Sequence, residues 1–474
     1  MNKKTNNLSQ EELKELQWEK LKNLLKVVLA TNKFYKKKYA AVGVKSADDI
    51  KTWEDFKRLP FTTKKELLED QIAHPPFGTN LTKPLEKYIL IRSTSGATGQ
   101  KLHTLFTEED IERINKANSS FLWRKMMPVN SSDRIMIIFP QSSFFLATSW
   151  TRKARLMIIP NDERSDLDIL KRILQLRVTI IQTYPSALFS LMELASKEGI
   201  NLKRQSAVRM IVLGGEMGAN IPSIRRKIEK QWGAKCYDLV GSVELSVIAT
   251  ECIEKNGPHL FEENIISEVM NHKNGKEELK GELIATYLPR YDYPFIRYPT
   301  GNYVELEKKL CSCGLIFPRL KGGILGRVDG AIKIRAVLYF PSEIEQLFLD
   351  FPEIKQFLVE VKKLNNEVDT VEIKIELPLS ARRDTVGLLE RKFVQCMGFT
   401  PTITVFPRGA FQKNQYIYKS RRIFDKRFQN SNEYEYKLND YSLIKVFLYR
   451  KIFKFLMFKL KLKKSLTKIH KIFD

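Results

Sequence analysis

The chain has 474 residues, of which 43% are hydrophobic and 11% aromatic, and a formal net charge of +25. This length exceeds what one simple core accommodates, so two or three domains are expected, and the apolar content excludes an intrinsically disordered chain. The positive charge lies partly in the two ends, and no zinc-finger, homeodomain or RNA-binding signature accompanies it, so no specific nucleic-acid partner is predicted. Five cysteines and a lysine-rich start without a signal peptide indicate a reducing, cytoplasmic location.

Residues 1–87 are predicted to form a helical segment packed on the domain that follows. Within this segment, residues 9–39 carry apolar side chains at helical spacing among charged ones, which predicts one long amphipathic helix. The apolar positions are Leu13, Leu16, Leu21, Leu24, Leu25, Val28 and Leu29.

Residues 88–328 are predicted to form a large α/β domain. From residue 88 to about 250, short apolar runs alternate with helical patterns, which is typical of parallel strands joined by crossover helices. The predicted strands are 135–139, 156–159, 179–182 and 210–213. Ligands of such a sheet bind at the carboxyl ends of its strands. Over residues 260–325 the pattern changes to short strands and Gly/Pro turns, which predicts a small, antiparallel β-barrel segment.

A smaller α+β domain is predicted over residues 329–430, after a link at 326–330. Its predicted strands are 331–335, 356–361 and 370–375, and its predicted helices are 342–349 and 382–397. The fold class is therefore α/β, with a large N-terminal domain of parallel-sheet α/β subdomains and a small β-barrel segment, followed by a small α+β C-terminal domain.

Residues 431–474 are predicted to form a basic amphipathic tail. Within it, residues 441–474 hold ten Lys or Arg and one acidic residue among repeated aromatic and aliphatic positions. Charges interrupt this segment too often for a transmembrane span. Two interpretations stay open: a helix lying in an anionic membrane surface, which would place the protein at the inner face of the membrane, or a solvated tail.

A loop rich in hydroxyl and glycine residues follows the apolar run 88–91. Residues 93–99 read Ser-Thr-Ser-Gly-Ala-Thr-Gly. Hydroxyl side chains between glycines at a strand end form a loop whose backbone N–H groups can wrap a phosphate. Such clusters are also common in ordinary loops, so this interpretation depends on further motifs.

Two pairs of metal-binding residue types stand out. Cys311 and Cys313 flank one residue of a predicted turn, and Cys252 is followed by His259. Three thiolates and an imidazole would close a tetrahedral zinc site that ties the β segment to the sheet domain, and free buried cysteines are the alternative. The two remaining cysteines, interpreted as core residues, are Cys236 and Cys396.

A series of short motifs occurs in the order found in adenylate-forming enzymes. The motifs are Leu-Pro-Phe-Thr-Thr-Lys at 59–64, the loop at 93–99, Thr-Tyr-Pro-Ser at 183–186, Gly-Gly-Glu at 214–216, Gly-Ser-Val-Glu at 241–244, Thr-Gly-Asn at 300–302, Gly-Arg-Val-Asp at 326–329 and a late Lys419. More narrowly, residues 13–427 resemble the phenylacetate–coenzyme A ligase family, including its relatives in capsular polysaccharide gene clusters. The resemblance implies an AMP-binding large domain and a mobile C-terminal domain.

The resemblance also implies a reaction in two halves. A carboxylic acid and ATP give an acyl adenylate and pyrophosphate, and the acyl group then passes to coenzyme A. A carboxylate that attacks a phosphate needs its repulsion screened, which calls for backbone donors, Mg²⁺ and a lysine. The expected partners are therefore a small carboxylic acid, ATP, Mg²⁺ and coenzyme A, and a homodimer stays open.

The resemblance assigns roles to individual residues. Lys419 approaches the reacting carboxylate, Glu244 binds Mg²⁺ and Thr98 contacts the phosphates. Asp329 is the hinge about which the small domain rotates, and Lys333 is a candidate for the second conformation. The residues expected to bind ATP or AMP, with the Gly-Gly-Glu segment along the adenine and the last two on the ribose, are Thr94, Ser95, Gly96, Thr98, Gly99, Gly214, Gly215, Glu216, Gly241, Asn302 and Arg327.

The chain departs from the family pattern at several positions. Val240 stands in place of an aromatic residue, and Asn302 replaces an aspartate, which keeps hydrogen bonds to the ribose but loses charge. Ala336 stands where a glycine lets the pantetheine arm of coenzyme A pass. The other departures are Ala97, Gln100, Val243 and a short segment at 141–155. Two alternatives therefore stay open: acyl or aminoacyl transfer from the adenylate to an amine in surface polysaccharide biosynthesis, and a non-catalytic nucleotide-binding or scaffold protein.

Overall fold

A computed structural model describes most of the chain. The described residues are 8–94, 101–121, 128–139, 155–162, 165–216, 218–271, 274–328, 332–334, 337–339, 341–348, 350–354, 356–364, 368–378, 384–407, 409–411 and 422–427. The chain divides into two compact units, residues 1–329 and 330–474. Within the described ranges, no helix combines the length and the apolar character that crossing a membrane requires.

The first unit begins with a series of helices. The helices of this unit are α1 (Gln10–Thr31), α2 (Lys33–Ala40), α3 (Trp53–Arg58), α4 (Lys64–Ala73), α5 (Glu108–Phe121), α6 (Asp166–Gln175), α7 (Pro185–Lys197), α8 (Leu202–Gln205) and α9 (Pro222–Trp232). Capping boxes begin α1, α3 and α4: a Ser or Thr hydroxyl accepts from a backbone N–H three residues on, and the acidic side chain there accepts in return. These local signals place the helix starts.

The prediction of one helix over residues 9–39 is wrong, because the helix is interrupted at Asn32. This residue has an extended backbone, with φ −74° and ψ 110°, so α1 ends and α2 begins there. Its Oδ1 accepts from the N–H of Tyr35 at 3.1 Å, and its Nδ2 donates to Asn80 Oδ1 at 3.0 Å and to Thr82 Oγ1 at 3.2 Å. The buried asparagine thus caps the second helix, which helical periodicity alone does not reveal.

The first unit is built on one sheet of twelve strands beside a two-stranded ribbon. The strands are β1 (Tyr88–Ser93), β2 (His103–Thr107), β3 (Arg134–Ile138), β4 (Met157–Ile159), β5 (Ile180–Thr183), β6 (Met210–Gly214), β7 (Lys235–Ser242), β8 (Ser246–Thr250), β9 (His259–Leu260), β10 (Ile265–Met270), β11 (Lys280–Tyr287), β12 (Tyr298–Glu307), β13 (Arg319–Leu320) and β14 (Gly326–Arg327). The order is β10-β11-β12-β13-β9-β8-β7-β6-β5-β3-β4, with β14 paired to β12, and β1 pairs with β2.

Strands β4, β3, β5, β6 and β7 are parallel neighbours, which confirms the parallel α/β prediction. Both faces of β3, β5, β6 and β7 are largely buried, as is typical of parallel sheets, whereas β4 lies at the edge of the sheet. Ile181 and Leu213 belong to the core beneath α6, α7 and α9, and Ile180 and Val212 belong to the core on the other face. Strands β8 to β14 continue the same sheet in antiparallel pairs. Closure of this region into a barrel stays a prediction.

The second unit carries a four-stranded sheet in the order β19-β18-β17-β20. Its elements are β15 (Ile332–Ile334), β16 (Val337–Tyr339), α10 (Pro341–Phe348), β17 (Phe357–Leu364), β18 (Val368–Glu376), α11 (Thr385–Met397), β19 (Thr402–Phe406) and β20 (Ile423–Asp425). Val359 and Ile373 of the sheet share a core with Leu389 and Phe393 of α11. The unit is α+β, as predicted, although the sequence analysis did not anticipate β19 and β20.

Candidate active site

Several predicted site residues lie outside the described residues. They are Ser95, Gly96, Ala97, Thr98, Gly99, Gln100, Asp329, Ala336 and Lys419. Most of the segment 141–155 lies outside as well, and so does the side chain of Lys333, whose backbone belongs to β15. The remaining predicted residues belong to the first unit, where their positions can be compared.

Two hydrogen bonds between Thr94 and Leu102 hold together the two ends of the predicted phosphate loop. The N–H of Thr94 donates to Leu102 O at 3.0 Å, and the N–H of Leu102 donates to Thr94 Oγ1 at 3.1 Å. Beside this pair, Ser93 Oγ lies 2.8 Å from His103 Nδ1. Thr94 is buried, so its hydroxyl ties the two strands together. His103 was not predicted as a site residue, because no sequence motif marks it.

Glu244 lies in the turn between β7 and β8, beyond the carboxyl end of a parallel strand. The residue is 8% exposed, and the hydroxyl of Tyr298 donates to its Oε1 at 3.2 Å. Burial and the neighbouring Glu244 charge raise the pKa of Tyr298 well above its usual value, so the phenol is a neutral donor. A Cβ at Gly241 would lie 2.6 Å from Ser246 O, so glycine permits the close approach of β7 and β8.

A fully buried arginine holds the backbone of the same turn. Arg290 Nη1 donates to Glu244 O at 2.6 Å, and Nη2 donates to Leu105 O on β2 at 2.9 Å. Its guanidinium lies 3.9 Å from the ring centroid of Phe106. Burial lowers the pKa of Arg290 to about 10, which leaves it cationic at neutral pH. Arg290 therefore connects the Glu244 turn to the strand that follows the phosphate loop.

The two predicted ribose-binding residues are neighbours across β12 and β14. Asn302 is paired in register with Arg327, and Arg327 Nη1 lies 3.4 Å from Asn302 Oδ1 and 3.4 Å from Thr300 O. Gly301 has φ +73°, and a Cβ there would lie 2.3 Å from Arg327 Nη2. The absence of a side chain at Gly301 therefore leaves the space that the Arg327 guanidinium occupies beside the turn.

The predicted adenine segment follows β6. Gly215 is exposed with φ +78°, and a Cβ there would lie 2.5 Å from Cε1 of Tyr184, so the tyrosine ring lies against this glycine. Glu216 accepts hydrogen bonds from the N–H of Ser186 at 3.0 Å and from its hydroxyl at 2.9 Å. Val240 is buried in the core. The aromatic ring beside the segment is therefore Tyr184, which follows β5.

A buried pair of carboxyl groups joins β7 to the residue after β8. Both oxygens of Glu251 accept from Arg225 at 2.7 Å, and Glu251 Oε2 also accepts from the N–H of Asp238 at 2.9 Å. Burial, and then the charge of Glu251, raise the pKa of Asp238 to about 8. Asp238 is therefore mostly protonated at neutral pH. No sequence motif indicated this pair.

The four predicted zinc ligands come together in the first unit. The donor atoms of Cys252, His259, Cys311 and Cys313 all lie within 4.8 Å of one another, and three of the four residues are buried. Cys252 Sγ lies 3.8 Å from Cys311 Sγ, and Cys313 Sγ lies 3.5 Å from His259 Nε2. The Nδ1 of His259 is 2.9 Å from Phe317 O, to which its N–H donates when Nε2 binds a metal.

The two separations of 3.8 and 3.5 Å match those between donors of a tetrahedral zinc ion. With Zn–S bonds of about 2.3 Å and Zn–N bonds of about 2.0 Å, tetrahedral donors lie roughly 3.5 to 3.8 Å apart. Burial lowers the pKa of His259 to about 4, so its imidazole is in the neutral form that binds metals. Three thiolates and one imidazole are a donor set that suits Zn²⁺.

Comparisons with known proteins show what the chain is similar to. The model of the AMP-binding enzyme C-terminal domain matches residues 336–427. A phenylacetate-coenzyme A ligase of Thermus thermophilus is 26% identical over 454 residues, covering 89% of this chain and 98% of that protein. The enzyme of the same name from Escherichia coli is 26% identical over 436 residues, covering 88% of this chain and 96% of that protein.

Among solved structures, 2-hydroxyisobutyryl-CoA ligase in the postadenylation state, in complex with R3-HIB-AMP, superimposes with a TM-score of 0.78 and 21% identity. The match covers 88% of this chain and 90% of that one, and at this identity it concerns the fold. The parallel sheet and the order of the motifs at its carboxyl ends define an adenylate-forming enzyme. Within that class, the chain is similar to the phenylacetate–coenzyme A ligases over most of its length, and residues 336–427 match the C-terminal domain of AMP-binding enzymes.

Proposed function

We propose that this protein activates a carboxylic acid with ATP and Mg²⁺ to an acyl adenylate and transfers the acyl group to the thiol of coenzyme A. The observation that carries the proposal is the placement of Glu244 beyond β7, with Asn302 paired to Arg327 across β12 and β14. The names of the relatives, phenylacetate-coenzyme A ligase, support the same reaction.

The proposed roles follow the chemistry of adenylation. Glu244 would hold Mg²⁺, which neutralises the phosphate oxygens, and the backbone of residues 94–99 would bind the pyrophosphate. Lys419 would screen the approaching carboxylate. The segment 214–216 would border the adenine, with the ring of Tyr184 in place of the aromatic residue absent at Val240.

The two half-reactions would use two arrangements of the C-terminal domain. We place its start at Asp329, as the hinge, and its end near residue 430, with 1–87 and 88–328 before it and the tail 431–474 after it. Lys333 would serve the second arrangement.

The adenylation half is tested by exchange of labelled pyrophosphate into ATP over a panel of aryl, fatty and amino acids. Acid-dependent exchange is expected, and Lys419→Ala should reduce it about 100-fold or more. Lys426→Ala, which changes a lysine paired with Glu360 in the same part of the chain, is the matched control. Exchange that survives Lys419→Ala would remove that lysine from the mechanism.

The acceptor of the acyl group is tested in the second half-reaction. Coenzyme A should yield a thioester with the acid that gives the fastest exchange. Ala336, at a position where the family resemblance implies a glycine, favours a second candidate, in which the adenylate acylates an amine of a surface polysaccharide precursor. Formation of an amide and no thioester would select that candidate. ATP binding without exchange for any acid would indicate a non-catalytic descendant.

We also propose that Cys252, His259, Cys311 and Cys313 bind a structural Zn²⁺. The separations of their donor atoms support it. Elemental analysis of the purified protein should find about one zinc per chain, and the Cys311→Ser/Cys313→Ser variant should lose it. A stable wild-type protein without metal would refute the site.

A third proposal concerns the basic segment 441–474, which would associate with anionic membrane surfaces. Truncation after Lys437 should weaken salt-sensitive binding to anionic vesicles by removing the contribution of this segment, and equal binding by the truncated chain would contradict it. A homodimer, left open by the sequence analysis, is tested by light scattering of the full chain.

A further inference from the structure

Basic residues lie at the amino ends of all five parallel strands, at the edge of the sheet opposite Glu244. Each lies within three residues of the first residue of its strand. In the spatial order β4, β3, β5, β6 and β7, the residues are Arg155, Arg134, Arg177, Arg209 and Lys235. We call this row the basic edge.

Backbone hydrogen bonds join the strand starts into one continuous row. The N–H of Lys235 donates to Arg209 O at 2.9 Å, and the N–H of Arg209 donates to Thr179 O at 2.9 Å. The N–H of Thr179 donates to Arg134 O at 2.9 Å, and Arg134 Nε donates to Arg177 O at 2.8 Å. These bonds align four of the basic residues along a single edge of the sheet, and Arg155 joins them because it precedes β4, which pairs with β3.

The basic edge combines exposed charge with exposed apolar side chains. Arg155, Arg177 and Lys235 are exposed, whereas the neighbouring carboxylate of Asp133 is almost fully buried and pairs with Arg209. Met157, the first residue of β4, is 61% exposed, and its N–H donates to Asp133 O at 3.2 Å. Leu176, beside Arg177, is 42% exposed.

We propose that the basic edge docks on a membrane surface rich in anionic lipid. Arginine and lysine side chains attract the lipid phosphates, and exposed apolar side chains among them can enter the acyl boundary. A nucleic acid would engage the same cations through its phosphates but offers nothing to Met157 or Leu176. This inference is independent of the acyl-activation proposal and of the tail at 441–474. Docking of the basic edge would orient Glu244, at the other end of the strands, away from the lipid.

The test measures sedimentation of the full chain with vesicles of phosphatidylcholine that contain about a third phosphatidylserine, at about 0.1 M salt. Arg155→Gln/Arg177→Gln/Lys235→Gln should weaken binding on the order of 100-fold. The matched control, Lys26→Gln/Lys33→Gln/Lys37→Gln, removes the same charge from exposed positions of α1 and α2 and should bind within about threefold of wild type. Met157→Ser/Leu176→Ser should weaken binding about fivefold to tenfold.

Each alternative has its own outcome. Equal losses in the two charge variants would mean that net charge alone drives binding, and wild-type binding by the basic-edge variant would mean that another segment does, so either result overturns the proposal. Duplex DNA that displaces the vesicles, together with no effect of Met157→Ser/Leu176→Ser, would also overturn it in favour of a general polyanion. Thermal melting checks that the basic-edge variant is folded, and Lys235→Gln alone, with a smaller expected loss, replaces it if it is not.

Discussion

The β7–β8 hairpin has a predicted metal ligand at each of its ends, and the two ends are built differently. At the turn, Glu244 is held by Tyr298 and Arg290, and in the described part of the chain it belongs to no group of three or more metal-binding side chains. At the other end, Cys252 lies two residues beyond β8 and meets three further donors.

If both proposals hold, the chain supplies all four ligands of the zinc site, whereas the Mg²⁺ site at Glu244 needs further ligands from water and substrate. Three thiols and an imidazole can fill the four positions of a tetrahedral ion, which is typical of a structural zinc site. A lone carboxylate cannot satisfy Mg²⁺, which takes its other ligands from water and substrate phosphates. We therefore expect changes at the turn to affect activity and changes at the far end to affect stability.

The largest effect is expected at the turn. Glu244→Gln keeps the hydrogen bond from Tyr298 but removes the charge that would hold Mg²⁺, so pyrophosphate exchange should fall about 100-fold to 1,000-fold. Zinc content and melting temperature should stay at wild-type values. Exchange assays beside metal analysis and calorimetry provide the measurement. Loss of zinc in this variant would break the proposed separation.

The second largest effect is expected at the Cys252 end of the β7–β8 hairpin. Cys311→Ser should remove the zinc and lower the melting temperature by about 5 to 10 °C, because a bound metal contributes its binding free energy to the folded state. Cys396 is exposed, so its interpretation as a core residue is wrong, whereas Cys236 is buried as predicted. Cys396→Ser is therefore the control and should melt as wild type does. A Cys311→Ser protein that melts normally yet loses exchange would reverse the roles of the two ends.

The Gly-Ser-Val-Glu motif predicted Glu244, and two pairs of metal-binding residue types predicted the three cysteines and the histidine. Neither pattern predicted the residues that contact Glu244. Glu244 is found because glycine precedes it in a recognisable motif, whereas Arg290 binds its backbone carbonyl from 46 residues away and Tyr298 its carboxylate from 54. A contact to a backbone oxygen leaves no mark on the sequence of the acceptor. The positions that support a site are therefore the ones that sequence motifs miss.

The fold, too, was predicted where local patterns determine it and missed where distant residues do. Alternating apolar runs predicted the parallel strands because each run is buried on both faces. The helix break at Asn32 depends instead on Asn80 and Thr82, which are distant in the sequence. β20 has three residues and is defined by its parallel pairing with β17, so its sequence alone carries little signal.

A third prediction concerns Asp238, which lies on β7 between the two ends. Its pKa of about 8 means that the folded protein keeps a proton which the unfolded chain releases near pH 4. Its contribution to stability is therefore fully present below about pH 4 and is lost as the pH rises toward 8, at up to about 1.4 kcal/mol per pH unit.

Asp238→Asn should remove this slope, so that the free energy of unfolding falls less between pH 5 and pH 8 than it does in wild type. Denaturant titrations at several pH values measure this free energy of unfolding for both proteins. A variant with the wild-type pH dependence would show that Glu251 or another group carries the proton.

The smallest effect is expected at Asn302 and Arg327, the proposed ribose-binding pair on β12 and β14. Asn302→Asp gives Arg327 a charged partner in place of the amide oxygen now 3.4 Å away, and a carboxylate accepts more strongly from hydroxyl groups. The KM for ATP should fall about threefold while kcat stays within about twofold, because a hydrogen bond to the ribose is made equally in the ground state and the transition state. A change in kcat without a change in KM would mean that this pair acts on the reacting groups and not on nucleotide binding.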